Sequence, residues 1–158
     1  MPKQSVIGDF RILRPRFTGD HPASVQWLAA AHARSEATAR GPGFDEGAFF
    51  RSIERHIRRF GCGPASLAFR GFELEDFMHT DWERMRIFTL AADPHGAGMS
   101  ARMEAFSEIV DAKLEAFYPA EADAPPDELI HVSCTGYVAP SAAQKLVVKR
   151  GWQQRVGV

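Results

Sequence analysis

Cys134 closes a short apolar run, residues 129–134, and stands directly before Thr135-Gly136. A thiol in that position becomes a nucleophile when a neighbouring base draws off its proton. The same residue equally suits a small buried site at a strand end, because free cysteine is among the most buried residue types. Cys62, in Phe60-Gly61-Cys62-Gly63-Pro64, reads as packed beneath a loop. The two cysteines give no disulfide framework, so both are expected to be reduced.

Arg51, Arg55, Arg58 and Arg59 form a basic run within ten residues of sequence. A guanidinium offers a two-pronged fork to phosphate. A solvated helix face is the plainer alternative, with Glu54 offsetting part of the charge. The six histidines, at 21, 32, 56, 79, 95 and 131, show no metal-ligand spacing, so no metal is expected. His131 reads as a satisfied core or interface residue. His95-Gly96-Ala97-Gly98 is too short and irregular for a phosphate loop, and no G-x-S-x-G supports a serine hydrolase.

These residues need elements to hold them. Residues 5–13 alternate loosely and read as a strand, ended by Pro15. Asp20 caps a helix that tolerates Pro22 in its first turn and reaches about Ala39. Val25, Leu28, Ala29 and His32 would share its inner face, and Gly41-Pro42-Gly43 breaks it. A second helix starts at Asp45 and runs to Phe60, with Phe44 and Phe49 spaced as a hydrophobic staple. Its apolar stripe is Phe49, Phe50, Ile53, Ile57 and Phe60. Residues 66–76 read as a loop with a short extended piece, and residues 81–90 read as a short helix or a strand, leaning to helix at their start. Ser100 caps the longest helix, to about Tyr118, with Met103, Phe106, Val110, Leu114 and Phe117 on its core face. Residues 119–126 form a polar linker rich in Pro and Ala.

The last stretch is the most informative. Residues 129–134 (LIHVSC) read as a strand buried on both faces. Thr135-Gly136-Tyr137 and Pro140 stop it. Ser141 and Gln144 have capping-box spacing, and Leu146, Val147 and Val148 give the following helix its buried side. Lys149 and Arg150 suit the negative end of that helix, and Gly151 suits the left-handed residue beyond it. Residues 155–158 read as the beginning of another strand. A long helix followed by a buried strand, a helix and a strand predicts an α/β layered fold with parallel pairing.

Bulk properties narrow the function classes. A chain of 158 residues, 45% hydrophobic and 25% charged, builds one ordinary globular core. A net charge of −1 gives no electrostatic case for nucleic acid or an anionic membrane as the main partner. No apolar run approaches the ~20 residues of a membrane helix. The first residues, MPKQSVIGDF, lack a secretion signal, and a cytoplasmic location is expected.

The segment HVSCTGYVAPSAAQKLVVKRGW resembles the stretch before the nucleophile in thiolase-fold condensing enzymes. It is most similar to type III polyketide synthases of the chalcone and stilbene synthase group, with ketoacyl synthase III enzymes next. The match rests on Cys134-Thr135, the Gly136 and Pro140 loop, and the helix end at residues 146–152. The loop between Thr135 and Pro140 is shorter than in the plant enzymes.

The resemblance implies the N-terminal half of a thiolase-like fold, a mixed and largely parallel sheet packed with helices, over residues 1–158. It implies decarboxylative Claisen condensation of malonyl thioester with an acyl thioester. The catalytic Cys, His and Asn of that chemistry would lie beyond Val158, so none is assigned here and Cys134 reverts to a structural role. Thr135, Gly136, Tyr137, Ala139 and Pro140 would border the acyl cavity and the dimer interface, with Ala139 reaching toward the neighbouring subunit. Arg55, Arg58, Arg59 and Arg70 would hold the phosphates and pantetheine arm of coenzyme A, or meet an acidic carrier protein. The expected substrates are acyl-CoA and malonyl-CoA or their carrier-protein equivalents, with no tightly bound cofactor. The expected partner is a C-terminal half on a separate chain, or a second copy of a full-length form. A stand-alone, non-catalytic binding domain derived from that fold is the alternative. A small acyl-transfer enzyme using Cys134 is a third.

Overall fold

The computed structural model describes residues 6–7, 10–119, 125–133 and 136–158. Cys134 and Thr135 lie outside the described residues. The chain is mixed α/β and divides into two compact units, Pro15–Phe106 and Met1–Arg14 with Ser107–Val158.

In the unit Pro15–Phe106, β1 (Phe17–Asp20) pairs antiparallel with β2 (Phe69–Phe72), setting Phe17 opposite Phe72 and Asp20 opposite Phe69. Asp20 then caps α1 (His21–Arg40), its carboxylate accepting from the Ala23 amide at 2.7 Å. Pro22 is harmless there, since first-turn amides have no helical acceptor. Gly41, at φ 75°, ends the helix. Asp45 caps α2 (Glu46–Phe60) in the same manner, and the Phe44 and Phe49 rings meet at 5.5 Å as the staple spacing predicts.

The buried face of α1 is Val25, Trp27, Ala29 and Ala33. His32, expected on that face, is exposed, and Trp27 takes the interior instead. Its indole donates to the carbonyls of Asp76 and His79, both at 2.8 Å. Phe77, Trp82 and Phe88 surround it with ring centroids 4.7–5.9 Å away. Burying so large a ring while pairing its one donor satisfies both demands of tryptophan.

The helix expected at the start of residues 81–90 is absent, and Asp76 gives the reason. Its carboxylate, 3% exposed, accepts from the amides of Arg86, Ile87 and Phe88 at 2.7–3.1 Å. Those donors are therefore not available to helical carbonyls. A 3₁₀ turn, η1 (Glu75–Met78), places the carboxylate. Ser35 and Thr38 of α1 donate to the carbonyls of Pro94 and Leu90, fixing the same irregular stretch to the helix.

α3 (Met99–Phe117) follows, close to its expected span. In the second unit, Arg11 and Arg150 donate to the carbonyls of Phe117 and Tyr118, meeting the helix end where carbonyls lack partners. α4 (Ala142–Lys149) has a complete capping box: Ser141 Oγ accepts from the Gln144 amide, and Gln144 Oε1 accepts from the Ser141 amide. Gly151 adopts φ 67°, as its place past the helix predicts. Leu129, Ala143, Leu146, Val147 and Val156 form the core of this unit, with Leu114, Tyr118 and Trp152 against it.

Three strand expectations are corrected. The described part of residues 5–13 is not a strand, and Val6, Ile7, Phe10 and Ile12 are exposed. Residues 129–133 form no strand buried on both faces: Leu129 is buried, but Ile130 and Val132 are 82% and 85% exposed. The largely parallel sheet is replaced, among the described residues, by the antiparallel β1–β2 pair and one isolated parallel bridge, Glu128 to Gly157. The pattern of residues 129–133 demanded cover on both sides, and only the Leu129 side receives it here.

Candidate functional site

The segment singled out from sequence is a return loop between the Glu128 bridge and α4. Leu129 N–H donates to the Gly157 carbonyl at 2.8 Å, and Gly157 N–H donates to the Asp127 carbonyl at 2.9 Å. The chain therefore leaves and re-enters the same parallel register around loop and helix. Ser133 ties the loop across itself, its hydroxyl donating to the Gly136 carbonyl at 2.9 Å and accepting from the Gly136 amide at 3.2 Å. Tyr137 is 86% exposed, Gly136 is half-buried, and Ala139 and Pro140 are exposed. The Ala139-Pro140 peptide bond is cis. Thr135, the fifth residue expected at this loop, lies outside the described residues.

The arginines occupy the other compact unit. Arg55, Arg58 and Arg59 share the exposed side of α2. They differ in circumstance. Arg58 is held by Glu54 at 2.8 Å, whereas Arg59 lies over the Phe60 ring at 5.2 Å. Arg70 sits on β2 opposite Gly19, half-buried, with a buried Nε that has no partner among the described residues. Among the described residues, no hydrogen bond or ion pair joins Arg70 to the three on α2. Cys62, expected beneath a loop, is exposed.

Sequence inspection missed a polar cleft of about 200 Å³ lined by Asp111, Glu115, Ala142, Lys145, Leu146 and Lys149. Lys145 Nζ donates to Ser107 Oγ at 2.6 Å and to Asp111 Oδ2 at 3.0 Å, while Ser107 donates to Asp111 at 3.2 Å. Lys149 pairs with Glu115. Acids four apart on α3 meet lysines four apart on α4, a pairing between two helices that spacing within either one does not reveal. Chemically the cleft is self-neutralised.

Among the described residues, no three His, Cys, Asp or Glu side chains gather to hold a metal. No described helix is long and apolar enough to cross a membrane. Compared with known proteins, the chain matches no protein-family model, and no curated protein matches it.

Proposed function

We propose that this chain is the N-terminal half of a thiolase-type condensing enzyme, an acyltransferase related to type III polyketide synthases. What supports the reading is the parallel return of Asp127–Leu129 onto Gly157 around a Pro-containing loop and a boxed helix. The resemblance of residues 131–152 implies a strand, loop, helix, strand order, of which the loop, the helix and a single parallel bridge on either side are present among the described residues. The reaction is decarboxylative condensation: a malonyl thioester loses carbon dioxide, and its enolate attacks an acyl group carried on a cysteine. The C-terminal half supplies that cysteine, together with the His and Asn that stabilise the enolate oxygen.

This chain contributes the wall of the acyl cavity and the subunit contact through Thr135, Gly136, Tyr137, Ala139 and Pro140. Arg55, Arg58, Arg59 and Arg70 form its approach for coenzyme A thioesters or an acyl carrier protein. The assembly works in the cytoplasm. Exposed Ile130, Val132 and Tyr137 fit this role, since an apolar face of this kind calls for a covering partner.

The test is native purification followed by light scattering, intact mass and carbon dioxide release from malonyl-CoA. A stoichiometric second chain with an alkylatable cysteine, in a complex that decarboxylates malonyl-CoA, is the expected result. A chain that purifies alone as an inactive monomer sinks the proposal and leaves a binding domain.

A further inference from the structure

Residues 60–69, FGCGPASLAF, carry no charged side chain. They lead from the end of α2 to the start of β2, and all but the half-buried Leu67 are exposed. Phe60 is 68% exposed and Phe69 70%. The turn between them is tied down. The amides of Ser66 and Leu67 donate to the Gly63 carbonyl at 3.0 and 3.1 Å, and the His21 amide donates to the Ala68 carbonyl at 2.9 Å. Two large rings are therefore held in water at the two ends of a fastened loop.

The charge around this loop has one sign. From Arg55 to Phe72 the chain carries four arginines and no acid, although its net charge is −1. Arg58 and Arg59 stand in the last turn of α2 and Arg55 in the turn before, all three exposed. Arg58 is engaged by Glu54, Arg59 lies over the Phe60 ring at 5.2 Å, and Arg55 has no ion-pair or hydrogen-bond partner among the described residues. Asp20 lies opposite Phe69 on β1, and its carboxylate is taken up by the Ala23 amide.

A protein partner is selected in part by hydrogen bonds at the rim of its contact. Cys62 and Ser66 are the only polar side chains in residues 60–69, too few to select one. A bilayer asks for no such match. Aromatic rings favour the boundary between headgroups and acyl chains, and guanidinium groups pair with phosphate. An apolar contact joined to a basic patch supplies the two signals that make peripheral attachment stable.

We propose that the loop between α2 and β2 docks on an anionic lipid bilayer, with Phe60 and Phe69 entering the headgroup boundary and Arg55 and Arg59 facing lipid phosphates. Arg58 contributes less, because Glu54 already holds it. The contact gives residues 60–69 a role that the condensing-enzyme reading leaves open, and it does not depend on that reading.

The test is co-sedimentation of the full chain with phosphatidylcholine vesicles made with and without phosphatidylserine. Binding that requires phosphatidylserine and weakens with salt is expected. R55Q/R59Q should bind about thirtyfold more weakly, at about fivefold per arginine near the surface. F60A/F69A should bind about tenfold more weakly. Both variants should keep the parent's circular dichroism spectrum, and R84Q, a change at another exposed arginine of the same unit, should bind like the parent. No binding by the parent, equal binding to both kinds of vesicle, or full binding by F60A/F69A would overturn the proposal. Release of vesicle-bound chain by coenzyme A would also overturn it, since that marks a site for soluble phosphates. So would a chain that ignores vesicles and binds polyglutamate, which marks a patch for acidic protein. Vesicle binding needs neither the C-terminal half nor acyl chemistry, so its failure and a failure of the decarboxylation test are read separately.

Discussion

Asp76 does the work of a missing strand. Three consecutive amides, Arg86 to Phe88, have no regular secondary structure to receive them, and one buried carboxylate takes all three. Substituting Asp76→Ala leaves those donors, the Ile87 amide buried among them, without their acceptor, at a cost of about 3 kcal/mol, read as a lower denaturant midpoint with an unchanged slope. Gly96 is constrained in a different way. It is at φ 67°, and an added Cβ would stand 2.6 Å from the Ile87 carbonyl oxygen, a backbone atom that cannot swing aside. Gly96→Ala should therefore lose about 2 kcal/mol, measured by the same titration. Trp27→Ala empties the centre of the aromatic cluster and frees two carbonyls, for a loss of about 3–5 kcal/mol.

At the scale of elements, the helices were legible and the strands were not, for one physical reason. Asp20, Asp45 and Ser141 each bond within three residues, so sequence spacing alone determines whether the cap forms. The staple of Phe44 on Phe49 and the turn at Gly151 are equally local. Strand pairing is settled by distant partners. Residues 5–13 carry a strand-like alternation yet form no strand ladder among the described residues, while the unremarkable Phe17–Asp20 finds Phe69–Phe72. Asp76 was invisible as a structural anchor because its acceptors' partners lie ten to twelve residues on. Of the candidate site, the loop and its helix were legible through Pro140 and the Ser141 box. The pairing of Lys145 and Lys149 with acids on α3 was not, because it joins two helices. Ser141→Ala should cost about 1 kcal/mol by removing the box. Lys145→Met should cost less than about 1 kcal/mol, since the pair is partly solvated. Thermal melts of the two variants, compared directly, would check the order.

At the scale of the molecule, the apolar side chains left outside concern residues 129–137. Leu129 joins the core, yet Ile130 and Val132 do not. Two exposed apolar side chains this close together form the kind of patch that a partner covers. In the proposed assembly those side chains are interior. Ile130→Glu with Val132→Glu should leave helix content unchanged by circular dichroism. It should also abolish co-elution of the C-terminal half on size exclusion. Retained co-elution would move the contact elsewhere.

The contrast between Asp76 and the open stretch has a consequence in time. In deuterated water, the amides of Arg86, Ile87 and Phe88 belong to a loop by every regular criterion, yet each is tied to a carboxylate that is 3% exposed. They should exchange as slowly as amides in the middle of α1. Ile130 and Val132 lie outside the bridge at Glu128 and should label almost at once in the isolated chain. Slow labelling at those two sites in a purified complex would mark where another polypeptide lies.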